Sequence, residues 1–162
     1  MKKKELIKEA KSFMKNAKKD LKNYGYITPI SFIFCKNKGL LVEGFYRNTN
    51  EKIIYFNAIR KMVKENNAVG IIFVTDSSII NKDTSLPSDQ DRNICKAIFL
   101  TASIPTYCLQ IIQTYSENGD KVEFYDEEMW EPKKGQGTDF SKTFVEIWDD
   151  HLKHDESKLS SH

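Results

Sequence analysis

Apolar residues at Leu6, Ile7, Ala10, Phe13, Met14, Ala17 and Leu21 recur in steps of one, three and four. That is the spacing of one helical face, and it predicts a helix over residues 3–23 with most of its lysines on the other side. Gly25 is the natural stop. In "YITPISFIFCKNKGLLVEGFY" the period changes to two, with Ile30, Phe32 and Phe34 alternating against Ser31, Ile33 and Cys35. This reads as a strand that starts after Pro29, then a turn in which Gly39 supplies a positive φ, then a return strand from Leu40 to Tyr46.

A second helix is expected in "RNTNEKIIYFNAIRKMVKENNA", with Asn48 and Glu51 as a capping box. Its stripe is read as Ile54, Ala58 and Met62 together with Ile59 and Val63. "AVGIIFVTD" is a short continuous apolar run, the pattern of a central strand. Residues 76–93 read as a long irregular connection, and "ICKAIFLTASI" as the next strand, ended by Pro105. "TYCLQIIQTY" and "KVEFYDEE" flank Asn118-Gly119, a strong hairpin signal. A last helix begins at Thr138 or Asp139, with Phe140, Phe144, Ile147, Trp148 and Leu152 on one stripe.

The expected order is α-β-β-α-β-β-β-β-α. Hairpin-joined strands imply an α+β domain, residues 1–154, built on a mostly antiparallel sheet of five to six strands with helices packed on it. Residues 155–162 read as a disordered tail. This succession resembles profilin-like and roadblock/longin-like domains, a resemblance of element order that implies an interaction module rather than one chemistry. The segments "TPISFIF", "AVGIIFVTD" and "PSDQDRNICKAIFL" are also similar, over roughly residues 26–115, to a group of small uncharacterised bacterial and phage proteins. That resemblance implies no activity.

Composition adds constraints. With 162 residues, 40% of them hydrophobic and 30% charged, the chain fits one soluble domain. It has no run of ~18 apolar residues, and its basic start is followed by no apolar signal core. Cys35, Cys95 and Cys108 lack metal-site spacing and sit in apolar runs, which reads as free thiols in a reducing, cytoplasmic setting. His151, His154 and His162 all fall within the last twelve residues, with no cysteine near them in sequence.

The net charge of +2 is unevenly spread. Residues 1–24 carry nine lysines against three acids (+6), and residues 117–156 carry thirteen acids against five lysines (−8). Such ends either bind opposite partners or neutralise each other.

Three candidate chemistries follow. Asp76, Asp89 and Asp91, with Glu43 as a fourth ligand, could converge on Mg²⁺ or Mn²⁺ for hydrolysis of a phosphodiester or nucleotide. The simpler reading makes these acids Asx-turn residues, with Arg92 pairing to a carboxylate. Lys8, Lys11, Lys15, Lys18, Lys19 and Lys22 could follow a nucleic-acid backbone without sequence preference, but no aromatic of that helix accompanies them on the basic face. Met129 and Trp130, set among acids, suit a protein-docking anchor, with Arg92 as a further contact. No motif calls for a cofactor, and the sequence lacks the paired nucleophile and base of covalent catalysis. The preferred expectation is a non-enzymatic cytoplasmic module that binds a protein partner or a second copy of itself.

Overall fold

The computed structural model describes residues 1–80, 94–133, 136 and 141–149. Helix α1 (Lys3–Tyr24) leads into strands β1 (Ile30–Phe34) and β2 (Gly39–Glu43), then helix α2 (Thr49–Glu65). Strands β3 (Gly70–Ile80), β4 (Ile94–Ile104), β5 (Tyr107–Asn118) and β6 (Lys121–Trp130) follow, and α3 spans residues 141–149. The expected element order is the observed one. All six strands form one antiparallel sheet in the order β2-β1-β3-β4-β5-β6.

The sheet is covered on both faces. On one, α1 buries Leu6, Ala10, Met14, Ala17 and Leu21 against Ile72, Val74, Ile98, Leu100 and Ile111. This is the stripe read from the sequence, and its helix stops where expected, at Gly25 with φ 77°. On the other face, Phe56, Ile59 and Val63 of α2 meet Ile33, Ile71 and Phe73 of the sheet and Phe144, Ile147 and Trp148 of α3. The Trp148 indole N–H donates to Ser103 Oγ at 2.9 Å, and Ser103 Oγ donates to the Phe144 carbonyl at 3.1 Å, so α3 is tied to β4 inside the core. The Tyr55 hydroxyl lies 2.7 Å from Ser31 Oγ and 3.1 Å from the Val42 carbonyl, which fixes α2 over β1 and β2.

Several local expectations are corrected. The α2 stripe is rotated: Ile54 and Ala58 are exposed, Met62 is half-buried, and Phe56 goes inward. Burying an aromatic ring that stacks edge-on against Phe73 and Phe144 outweighs burying Ile54. Residues 76–80 are strand, not loop, because β3 pairs with β4 in continuous register from Ile71↔Ser103 to Ile80↔Ile94. Tertiary pairing overrides the poor strand propensity of Asp76, Ser77 and Ser78. Gly39 has no positive φ. It is glycine because the Phe32 ring lies where a Cβ would stand. Gly119 does take positive φ, 62°, as the first residue of the two-residue turn closed by Asn118↔Lys121. At α2 the Asn48 side chain accepts from the Glu51 N–H at 2.9 Å, while Glu51 reaches back to the Arg47 N–H at 2.6 Å. Thr138, Asp139, Phe140, Leu152, the three histidines and the 155–162 tail lie outside the described residues.

Candidate functional site

The proposed metal ligands occupy different places. Asp76 lies within β3, on the α1 face opposite Ile98. Burial raises its carboxyl pKa above the usual range, against the pull of a backbone hydrogen bond and of Lys96. Burial, together with the charges of Asp76 and Glu117, pushes the Tyr115 phenol up to about 12. Lys96 and Glu117 form an ion pair alongside, at 2.6 Å. Glu43 is remote from this group. It pairs with Ile30, and Ile30 with Val74, so β1 stands between the two acids. Two strand spacings separate them, about 10 Å, with two residues more along the strand. Asp89, Asp91 and Arg92 lie outside the described residues. Among the described residues, no three acids, histidines or cysteines group as they would to hold an ion.

The α1 lysines are divided. Lys18 pairs with Glu127 at 3.0 Å and Lys3 with Glu131 at 3.4 Å, so the basic and acidic ends of the chain partly neutralise each other. Lys8, Lys11, Lys15, Lys19 and Lys22 are exposed. The tertiary structure also supplies an aromatic that α1 lacks on this side. Phe124 of β6 sits beneath Lys18 and Lys22, whose ammonium groups stand 5.6 and 5.4 Å from its ring centre.

In β6, a bulge decides where Met129 and Trp130 point. Gln113 pairs with Glu127 and Tyr115 with Phe124, so Tyr125 and Asp126 together face Thr114. The buried Gln113 amide donates to the Tyr125 carbonyl at 2.7 Å. Beyond the bulge Met129 lies opposite Ile111 on the α1 face, and Trp130 opposite Gln110 on the other. Met129 is exposed and Trp130 half-buried, so the two do not form one anchor.

The two edges of the sheet differ. β6 is interrupted by its bulge and presents Glu123, Asp126, Glu127 and Glu128, all exposed. These are the devices by which natural edges resist pairing. β2, sequence GLLVE, has neither bulge nor proline nor lysine. The Cys35 N–H donates to the Lys38 carbonyl and the Gly44 N–H to the Pro29 carbonyl. By antiparallel alternation residues 40 and 42 then bond to β1, and Gly39, Leu41 and Glu43 turn their backbone groups outward. Exposed apolar side chains are concentrated in this part of the chain. Of the eight large ones most exposed among the described residues, six (Tyr24, Tyr26, Leu41, Phe45, Ile53 and Ile54) fall within residues 24–54. Sequence reasoning missed this surface. Leu41 and Ile54 carry the same apolar signal as core residues, and only the strand order shows that β2 is terminal.

Comparison with protein-family models, with curated proteins and with solved structures finds no match for this chain.

The thiols offer little chemistry at these surfaces. Cys108 is buried, and burial pushes its pKa up to about 12, far from a reactive thiolate. Cys35 and Cys95 are free and half-buried. No described helix is long and apolar enough to cross a membrane.

Proposed function

We propose that the protein is a non-enzymatic cytoplasmic interaction module that self-associates by strand addition, β2 of one copy pairing antiparallel with β2 of another. The observation that carries this reading is the contrast between the guarded β6 edge and the bare β2 edge. The sequence of β2 is compatible with a two-fold axis at Leu41. Leu41 then faces Leu41 of the partner copy, and Gly39 faces Glu43. All the outward-turned residues pair with one another, giving about six hydrogen bonds in three bonded pairs. On one face Leu40 lies opposite Val42 of the other copy, and on the other face Leu41 meets Leu41, an isologous and self-complementary seam. A five-residue seam is small, and the exposed Leu41 on it and Phe45 just beyond it add apolar area of the kind a stable interface needs. The free thiols fit a reducing compartment.

The test is sedimentation velocity over a range of protein concentrations, on the native chain and on Leu41→Lys, a charge at the seam that leaves the β1–β2 ladder intact. The native chain is expected to dimerise and the variant to remain monomeric with an unchanged circular dichroism spectrum. A native chain that is monomeric at ~100 μM, a concentration at which a micromolar dimer is nearly saturated, refutes the reading. So does a variant that dimerises equally well.

A second reading has its own observation. Lys15, Lys19 and Lys22 beside the Phe124 ring form a basic groove with a stacking surface, the combination that holds single-stranded nucleic acid without sequence preference. Affinity for an oligonucleotide that does not fall with salt argues against it, because counterion release requires that slope.

A further inference from the structure

On the α1 face the helix lies chiefly over β3, β4, β5 and β6, and it reaches β1 through Phe13, whose ring centre is 5.5 Å from that of Phe32. An open cleft of about 290 Å³ lies between the C-terminal half of α1 and the β1–β2 hairpin. Its walls are the rings of Phe13, Tyr24 and Tyr26, its apolar lining includes Ile30 and Leu41, and two carboxylates border it, Asp20 from α1 and Glu43 from β2. Asp20 and Glu43 have no hydrogen-bond or ion-pair partner among the described residues. No lysine or arginine lines the cleft, although the chain carries 25 of them against 23 acids. The other flank of the same helix turns Lys15, Lys18, Lys19 and Lys22 toward Phe124. The C-terminal half of α1 therefore sorts its charges, with cations on the β6 side and an unpaired carboxylate on the β2 side.

We infer that this cleft binds a small organic cation, an aliphatic diamine. Aromatic faces attract an ammonium group through their quadrupoles, and a neighbouring carboxylate adds charge. Acids on two different elements suit a ligand with a cation at each end, and the apolar lining suits the methylene chain between them. The volume is at the lower limit of small-molecule sites, which fits a ligand of this size and excludes a large one. The cleft opens on the α1 face of the sheet and shares Leu41 and Glu43 with the β2 seam, but its complementarity to a cation is present in a single copy. The inference does not rest on self-association.

The experiment titrates the full chain with 1,5-diaminopentane, with neutral 1,5-pentanediol and with N-acetyl-lysine amide, followed by calorimetry and by the Tyr24 and Tyr26 ring resonances. Saturable diamine binding is expected, weakened about tenfold by Asp20→Asn and again by Glu43→Gln, and weakened by salt. The diol is expected not to bind. Both acids are exposed, so the substitutions should leave the spectrum of the folded protein unchanged. Tyr24→Leu, which removes a ring and keeps apolar bulk, is expected to lower affinity as well. The inference is overturned if the diamine fails to saturate, if the diol binds equally, or if the doubly substituted chain binds as the native one does. Tighter binding of the lysine amide than of the diamine would replace a free amine by a side chain of a partner protein and overturn the assignment of ligand.

Discussion

Removing the hydroxyl of Ser103 should loosen α3 from the sheet, and the size of the effect follows from two hydrogen bonds. Ser103 Oγ accepts from the Trp148 indole and donates to the Phe144 carbonyl, and Ser103 and Trp148 are both essentially sealed from water, at 0% and 2% exposure. In Ser103→Ala the indole N–H loses this acceptor in a place where water cannot replace it. Such a loss costs roughly 1–3 kcal/mol. The Phe144 carbonyl is a helical acceptor and suffers less. Trp148→Phe acts differently. It shrinks a buried ring and removes the donor, at a cost of roughly 1–3 kcal/mol from packing, while Ser103 keeps its bond to Phe144. In the Trp148→Phe background the serine substitution therefore strands no indole and should cost only about 0.5 kcal/mol. The double-mutant cycle should show a coupling of about 1 kcal/mol or more. Urea unfolding at 25 °C, read by circular dichroism, gives the four free energies. Strict additivity, or a Ser103→Ala cost below about 0.3 kcal/mol, would refute the claim that this bond anchors α3.

Asp76→Asn should stabilise the protein at pH 7. Burial raises the pKa of Asp76 in the folded state, so its favourable contribution is complete at low pH and is lost as pH rises through the folded-state value. The gain from Asn should shrink toward zero as pH falls below the unfolded carboxyl pKa, and urea midpoints from pH 3 to 8 check the trend. Gly39→Val should destabilise by about 1–3 kcal/mol, because the new side chain displaces the Phe32 ring from its contacts with Phe13 and Phe34 at 5.5 and 4.7 Å. Replacing Phe32 by Leu in the same chain should recover part of that loss in the urea midpoint.

Much of the fold is legible in the chain itself because its signals are local. The α1 stripe from Leu6 to Leu21, the Gly25 stop, the proline before β1, the Asn48 cap and the turn at Gly119 each act through residues a few positions apart, and each stands in the structure. Reading Gly39 as a turn glycine failed because its reason is not local: a ring from the neighbouring strand occupies the space above it. The phase of α2 failed in the same way. Ile54 and Phe56 are both apolar, and the aromatic cluster formed with Phe73 and Phe144, far along the chain, selects between them. The extension of β3 through Asp76, Ser77 and Ser78 is likewise fixed by pairing with β4 and not by the residues' own preferences.

The surfaces depended on tertiary structure almost entirely. Charge counts revealed a basic end and an acidic end, but only the packing of α1 across β6 pairs Lys18 with Glu127 and puts Phe124 under the lysines. Composition cannot say which strand lies at the edge, and that single fact turns Leu41 from a core residue into an exposed one. Hydrophobic periodicity records that a side chain prefers to leave water. Where the chain has no neighbour to cover it, the preference goes unmet, and strand order decides where that happens.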